Sequence, residues 1–233
     1  MTKGLFTEIA GVYDRMNRIL SLGLDVWWRR KAVSLVGGAP ARILDLACGT
    51  GDLTFALAER FPRASVVGVD LTPAMLARAR ARNARPNVCF VEGDAQKKDF
   101  SIRRSVDSGK GRLEFQLISC AFGFRNFPDK DAALGEVCDH LVPGGELLVL
   151  EFFRPQGRLR GWLVACWVRV LSAIFGGRHA NAYAYLRESM RATDTEDGFV
   201  ARAKAFGLSL TLRRFCPPCC TCLIFVRSGH ACH

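Results

Sequence analysis

Two carboxylates bracket a run of small residues at Asp45-Leu46-Ala47-Cys48-Gly49-Thr50-Gly51-Asp52. Gly49 and Gly51 permit a tight turn and let backbone N–H groups come close to a ligand. A dinucleotide-binding turn reads G-x-G-x-x-G, whereas Ala47, Gly49 and Gly51 give small-x-Gly-x-Gly behind an acidic residue. That pattern points to a cofactor without a pyrophosphate. Asp45 would repel phosphate but can accept a hydrogen bond, directly or through water, from an ammonium group. Further on, Asp70 closes an apolar run, where an acidic side chain can accept both hydroxyls of a ribose. Gly93-Asp94-Ala95 closes another, with Asp94 set to accept from the exocyclic amine of adenine. Three acidic positions, each expected at the carboxyl end of a strand, describe one nucleoside-binding edge.

The elements that must carry these residues are legible as alternating short apolar runs and amphipathic stretches. Arg42-Ile-Leu-Asp-Leu46, Ser65-Val-Val-Gly-Val69, Val88-Cys-Phe-Val-Glu92, Phe115-Gln-Leu-Ile-Ser119 and Glu146-Leu-Leu-Val-Leu150 read as buried parallel strands. Between them, Leu53 to Arg60, Pro73 to Asn83 and Asp129 to Leu141 are apolar on one face, and Pro73 sits where a first helical turn tolerates it. Glu196 to Phe206 reads as a helix, and Leu208 to Phe215 with Thr221 to Arg227 as an edge hairpin around Cys216-Pro-Pro-Cys219. The expected fold is an α/β, Rossmann-like sheet of seven mostly parallel strands with an antiparallel last strand and helices on both faces. One domain over 1–233 is expected, with a helical cap at 1–35, a cofactor-binding core at 36–153, a helical insertion or cap at 154–194, and the last helix and hairpin at 195–233.

A formal charge of +11 favours an anionic partner, either a phospholipid surface or nucleic acid. The start of the chain has no apolar signal region and no segment is long enough to span a bilayer, so a cytoplasmic protein is expected. The basic, Gly-containing stretch from Ser101 to Arg112 reads as an exposed loop. Gly161 to Phe175 is apolar, holds Trp162 and Trp167, and is flanked by Arg158, Arg160 and Arg178. It suits a helix lying at a membrane interface, and equally a cap over the site or a dimer contact. Cys216, Cys219, Cys220 and Cys222 lack the paired spacing of a zinc knuckle, so free thiols are expected and no metal is assigned.

Further motifs carry a specific resemblance. They are Phe6-Thr-Glu-Ile-Ala10, Tyr13-Asp14-Arg15-Met16-Asn17, Ser21-Leu22-Gly23 with Trp28, Leu44 through Thr54, Asp70, Met75-Leu76, Phe122-Gly123-Phe124-Arg125-Asn126-Phe127-Pro128-Asp129, Leu141-Val-Pro-Gly-Gly145, Leu150-Glu-Phe-Phe-Arg-Pro155 and Tyr183-Ala-Tyr-Leu-Arg-Glu-Ser189. In this order they resemble the UbiE/MenG quinone C-methyltransferases over nearly the whole chain. The resemblance implies a class I methyltransferase in which Thr50, Asp70, Asp94 and Ala95 contact S-adenosyl-L-methionine. It implies a lipid-soluble, polyprenylated demethylquinol as substrate, demethylmenaquinol foremost. A benzoquinol of ubiquinone biosynthesis, arsenite, and a membrane-associated binding module without turnover stand as alternatives. The chain departs from the family pattern at Asp25, Gln116 and Ala121, in the length of the Asp99 to Glu114 loop and in the cysteine-rich tail.

The chemistry so implied sets roles. A hydroquinone becomes a carbon nucleophile when a hydroxyl is deprotonated, so Arg125 is expected to stabilise the phenolate and Asn126 to orient it. Arginine stays protonated and cannot serve as base. A water relayed by Asp94, or by Tyr13 with Asp14, is left to take the proton. Glu151 ends the fifth strand and either meets substrate or supports a loop. Base methylation of RNA usually goes with Asn/Asp-Pro-Pro-Tyr/Phe after the fourth strand. Ser119-Cys-Ala-Phe122 stands there instead, so no nucleic-acid partner is expected, while an oligomer stays open.

Overall fold

The computed structural model describes residues 21–97, 113–167, 169–170, 188 and 192–229. The Phe6 to Ala10 motif, the Tyr13 to Asn17 motif with Tyr13 and Asp14, and the 101–112 loop lie outside those residues, as does all of the 183–189 stretch except position 188. The chain enters through α1 (Leu24–Ser34) and continues as β1 (Arg42–Leu46), α2 (Asp52–Arg60), β2 (Ser65–Asp70), α3 (Pro73–Arg82) and β3 (Val88–Glu92). Then follow β4 (Phe115–Ala121), α4 (Lys130–His140), β5 (Leu141–Glu151), a helix α5 at 158–167, α6 (Glu196–Ala205), β6 (Leu208–Cys216) and β7 (Cys220–Arg227).

Ile43, Leu44 and Leu46 are fully buried, because β1 lies mid-sheet with a helical layer on each side. Successive strand residues point to opposite faces. Ile43 accordingly packs with α1 and α2 through Trp28, Leu53 and Leu57, while Leu44 packs with α4 and α6 through Leu134 and Phe199. The strand order is β3-β2-β1-β4-β5-β7-β6, parallel except for β7, which runs antiparallel to both β5 and β6. The order reverses between β1 and β4, and in open α/β sheets the crevice at such a switch point, beyond the carboxyl strand ends, is where ligands bind. Two of the helices, α4 and α6, start at side-chain caps. The Asp129 carboxylate accepts from the Ala132 N–H at 2.9 Å, and the Thr195 hydroxyl accepts from the Gly198 N–H at 3.1 Å.

All seven expected strands are present in the expected sense, with one extended. β5 begins at Leu141 rather than Glu146, and Val142-Pro-Gly-Gly145 is absorbed by a register shift between Phe115 and Leu117 of β4. The helix read as interfacial, cap or dimer contact splits its apolar residues. Val164 and Trp167 of α5 pack against the core, whereas Leu159, Trp162 and Leu163 face outward, with Trp162 62% exposed. Arg160 ties α5 to the hairpin, donating to Glu196 at 2.8 Å and lying 4.2 Å over the Phe215 ring. No helix among the described residues is long and apolar enough to cross a membrane. Cys216, Cys219, Cys220 and Cys222 are free thiols inside the core, and burial pushes Cys219 and Cys222 up to about 12, so they stay neutral.

Candidate active site

The turn from β1 into α2 places Ala47, Gly49 and Gly51 all in the left-handed region, with φ of 51°, 56° and 88°. Each position meets a different constraint. A Cβ on Gly51 would sit 2.8 Å from the Phe90 ring, whereas one on Gly49 would project into open space. That open space is a cavity of about 330 Å³, walled by Gly49, Asp70, Met75, Asp94, Ala95 and Asn126 among others. Asp70 holds its near edge together: one carboxylate oxygen accepts from the Gly49 N–H and the other from the Thr72 N–H, both at 2.8 Å. Burial raises its pKa against the pull of those donors. The Thr72 hydroxyl and the Leu71 backbone also lower it, so Asp70 sits in a ring of donors at the cavity edge.

Asp94 and Ala95 form the opposite wall, with Ala95 buried. One Asp94 oxygen accepts from the Gln96 N–H at 3.0 Å and from its side-chain amide at 3.2 Å. The Gln96 amide oxygen in turn accepts from the Asp129 N–H at 2.8 Å, tying this wall to the start of α4.

A narrower recess adjoins the cavity across Ala47, Gly49, Ala121 and Phe122, and is lined by Arg29, Asp45 and Thr50. Asp45 is 1% exposed and accepts from the Thr54 hydroxyl at 2.6 Å and the Ser119 hydroxyl at 2.7 Å. Burial raises its pKa to about 6, opposed by those two hydroxyls and by Arg29. Arg29 is the residue sequence reasoning missed. Its guanidinium donates through Nη1 to the Asp25 carboxylate at 2.7 Å and to the Asp25 carbonyl at 3.1 Å, and lies 5.3 Å over the Phe122 ring. The Asp25–Arg29 spacing of i,i+4 was the available signal, because it sets both side chains on one face of α1.

After β4 the chain turns sharply. Phe122 has φ 59°, a strained conformation for a bulky side chain that persists only when its surroundings fix it. Its N–H donates to the Leu150 carbonyl at 2.8 Å, and its ring stacks on Phe152 at 4.7 Å and tilts against Trp28 at 6.3 Å. A single 3₁₀ turn, Phe124–Asn126, then sets Asn126 on the cavity wall, its amide donating to the Phe122 carbonyl at 3.2 Å. Arg125 lies behind that wall. It donates to Glu151 at 2.7 Å and to the Phe122 carbonyl at 2.8 Å, and Glu151, 1% exposed, also accepts from the backbone N–H groups of Arg125 and Phe152. Of the two readings of Glu151, the structure places it in loop support. Tyr13 and Asp14 fall outside the described residues.

The sheet order, the glycine turn facing the cavity, and the acidic side chains ending β2 and following β3 define a class I S-adenosylmethionine-dependent methyltransferase. The model of the ubiE/COQ5 methyltransferase family matches residues 1–211, and the chain belongs to that family. It is 43% identical over 212 residues to a demethylmenaquinone methyltransferase of Thermus thermophilus, covering 88% of this chain and 92% of the relative. It is 40% identical over 210 residues to a ubiquinone/menaquinone biosynthesis C-methyltransferase of Syntrophotalea carbinolica, covering 89% and 83%. Among solved structures, a TehB-like SAM-dependent methyltransferase from Corynebacterium glutamicum shares the fold at a TM-score of 0.58 and 17% identity, over 94% of this chain and 97% of that one. S-adenosylmethionine is the methyl donor. The cavity fits it: Asp70 and Asp94, carboxylates rather than cations, line it, and a Cβ built on Gly49, also in its wall, meets no atom within 4 Å.

Proposed function

We propose that this chain methylates a ring carbon of a polyprenylated demethylquinol, with demethylmenaquinol as the acceptor, in respiratory quinone biosynthesis. The observation that carries the acceptor is the naming of its relatives, including the Thermus thermophilus protein, as demethylmenaquinone methyltransferases. The site supports the chemistry. When bound, S-adenosylmethionine supplies an electrophilic methyl group on a sulfonium sulfur. The residues of this chain hold the acceptor in line with it and keep water out.

Asp70, Asp94 and Ala95 hold the nucleoside, and Asp45 with Thr50 holds the amino-acid end. Ala121 and Phe122 border both compartments and lead into the turn that carries Asn126. Asn126 orients the acceptor's hydroxyl. Arg125, fixed by Glu151, holds that turn in place and adds a positive charge behind it that favours the phenolate. The hydroxyl proton passes to a water relayed by Tyr13 with Asp14 or by Asp94, one of whose carboxylate oxygens accepts from Gln96. The carbon–carbon bond forms as the donor's carbon–sulfur bond breaks, leaving a neutral thioether; loss of the ring proton restores the aromatic ring as a phenolate, which takes one proton back through the water relay, for a net release of one proton.

The same reading places the protein on the surface of an anionic bilayer while it turns over. Leu159, Trp162 and Leu163 form an outward apolar face on α5, and the net charge of +11 adds attraction to anionic lipid. The test is a parallel assay with methyl-labelled S-adenosylmethionine and four acceptors: demethylmenaquinol, a demethylated benzoquinol, arsenite and RNA. Label in the naphthoquinol supports the proposal, and label confined to any other acceptor overturns it.

A further inference from the structure

We infer that Arg29 is the cation that binds the α-carboxylate of S-adenosylmethionine, and that Asp25 is the residue that positions it. The inference needs only the methyl donor and does not depend on the acceptor.

The recess beyond Gly49 carries opposite charges on its walls: the Asp45 carboxylate and the Arg29 guanidinium. A ligand anchored by its ribose at Asp70 and passing Gly49 brings its amino-acid end here, because the recess and the nucleoside cavity share Ala47, Gly49, Ala121 and Phe122. That end is a zwitterion. Asp45 matches the ammonium group, and Arg29 matches the carboxylate. A third charged wall residue, Asp52, is already bonded to Arg82 at 2.7 Å and would repel a carboxylate.

Arg29 is held for the task. Its side chain is 11% exposed, and both hydrogen bonds to Asp25 are made by Nη1. A guanidinium carries five N–H donors in a fixed plane and suits paired contact with a carboxylate. Asp25 is 4% exposed and is fixed in turn, one oxygen accepting from the Ser21 hydroxyl at 2.9 Å. Ser21, in the turn before α1, thus fixes Asp25, and Asp25 and Arg29 share one face of α1, a relay that ends at the recess. The guanidinium also lies over Phe122, so the cation is seated on the residue that starts the Asn126 turn.

The test compares binding of S-adenosylmethionine with that of its decarboxylated form, by calorimetry on the full chain. Wild type should prefer the carboxylate-bearing ligand. Arg29→Gln should weaken S-adenosylmethionine on the order of tenfold to a hundredfold, while the decarboxylated ligand binds within about twofold of wild type. Arg29→Lys should restore part of the preference, and Asp25→Asn should lose part of it. Equal losses for both ligands would assign Arg29 a structural role and overturn the inference, as would an unchanged preference. Should Arg29→Gln not fold, Arg29→Lys and Asp25→Asn give the same comparison. An unchanged preference in both would then be the contradicting result.

Discussion

Asp45 carries a charge that the fold penalises. Below its ordinary pKa of 3.8 the carboxyl is protonated in folded and unfolded chains alike. Between 3.8 and about 6 the unfolded chain has released a proton that the folded chain keeps, so stability falls as pH rises through that window. The full cost is on the order of 3 kcal/mol. Urea unfolding of wild type and Asp45→Asn should show a fall that is larger in wild type by this amount, the Asp70 contribution being common to both, and the affinity of wild type for S-adenosylmethionine should tighten as Asp45 ionises near pH 6. A pH-independent difference between the two proteins would remove this reading. The two glycines separate in the same way. Gly51→Ala should cost about 1–3 kcal/mol of stability, through its positive φ and the clash with Phe90. Gly49→Ala should cost about 1 kcal/mol of stability but most of the cofactor affinity, because its Cβ enters the cleft.

The acidic residues of the cleft are visible in the sequence, because Asp45 lies near the end of an apolar run, Asp70 and Asp94 end or follow one, and Gly49 and Gly51 mark the left-handed turn. Arg29 is not, since nothing in α1 distinguishes a cation aimed at a recess from one on a solvated face until the tertiary fold brings Phe122 beneath it. The departure at position 25 acquires a physical account: Asp25 pairs with Arg29. Gln116 likewise accepts from the Arg42 N–H at 2.8 Å, at the sheet end away from the cleft.

At the scale of elements, the turn between β4 and α4 depends on a neighbour that the chain reaches only at the end of β5. Glu151 takes hydrogen bonds from the Arg125 guanidinium and two backbone N–H groups, so it sets the turn that presents Asn126. Replacing it with alanine strands a buried guanidinium, and the expected loss is about 3 kcal/mol or more by chemical denaturation. Methyl transfer should fall further than cofactor affinity does, since the turn and not the nucleoside wall is disturbed. Equal losses in both would contradict that division. The β5 boundary shows where pattern reading stops: Pro143, Gly144 and Gly145 are turn residues by type, and only the register shift opposite Phe115 and Leu117 makes them part of a strand.

At the scale of the molecule, the switch point between β1 and β4 gathers all the chemistry at one rim, and α5 presents its outward face after leaving β5 at that same rim. Changing Leu159, Trp162 and Leu163 together to serine should reduce cosedimentation with anionic liposomes on the order of tenfold or more, and raise KM for a quinol embedded in them. Turnover of a short-chain, water-soluble acceptor should be unaffected. Equal cosedimentation of wild type and variant at low salt would count against membrane docking. The general architecture was readable in advance because it depends on buried runs that repeat. Which side of α5 faces the core was not, since Trp162 and Trp167 are alike until packing sorts them. The claim that joins all three scales is transfer of a methyl group to carbon. Incubating the protein with S-adenosylmethionine bearing a ¹³C-labelled methyl and demethylmenaquinol in liposomes, then recording the carbon NMR spectrum of the extracted quinone, tests it directly. The expected spectrum shows the label as a methyl bonded to a ring carbon; a methoxy signal, or no label in the quinone fraction, would contradict it.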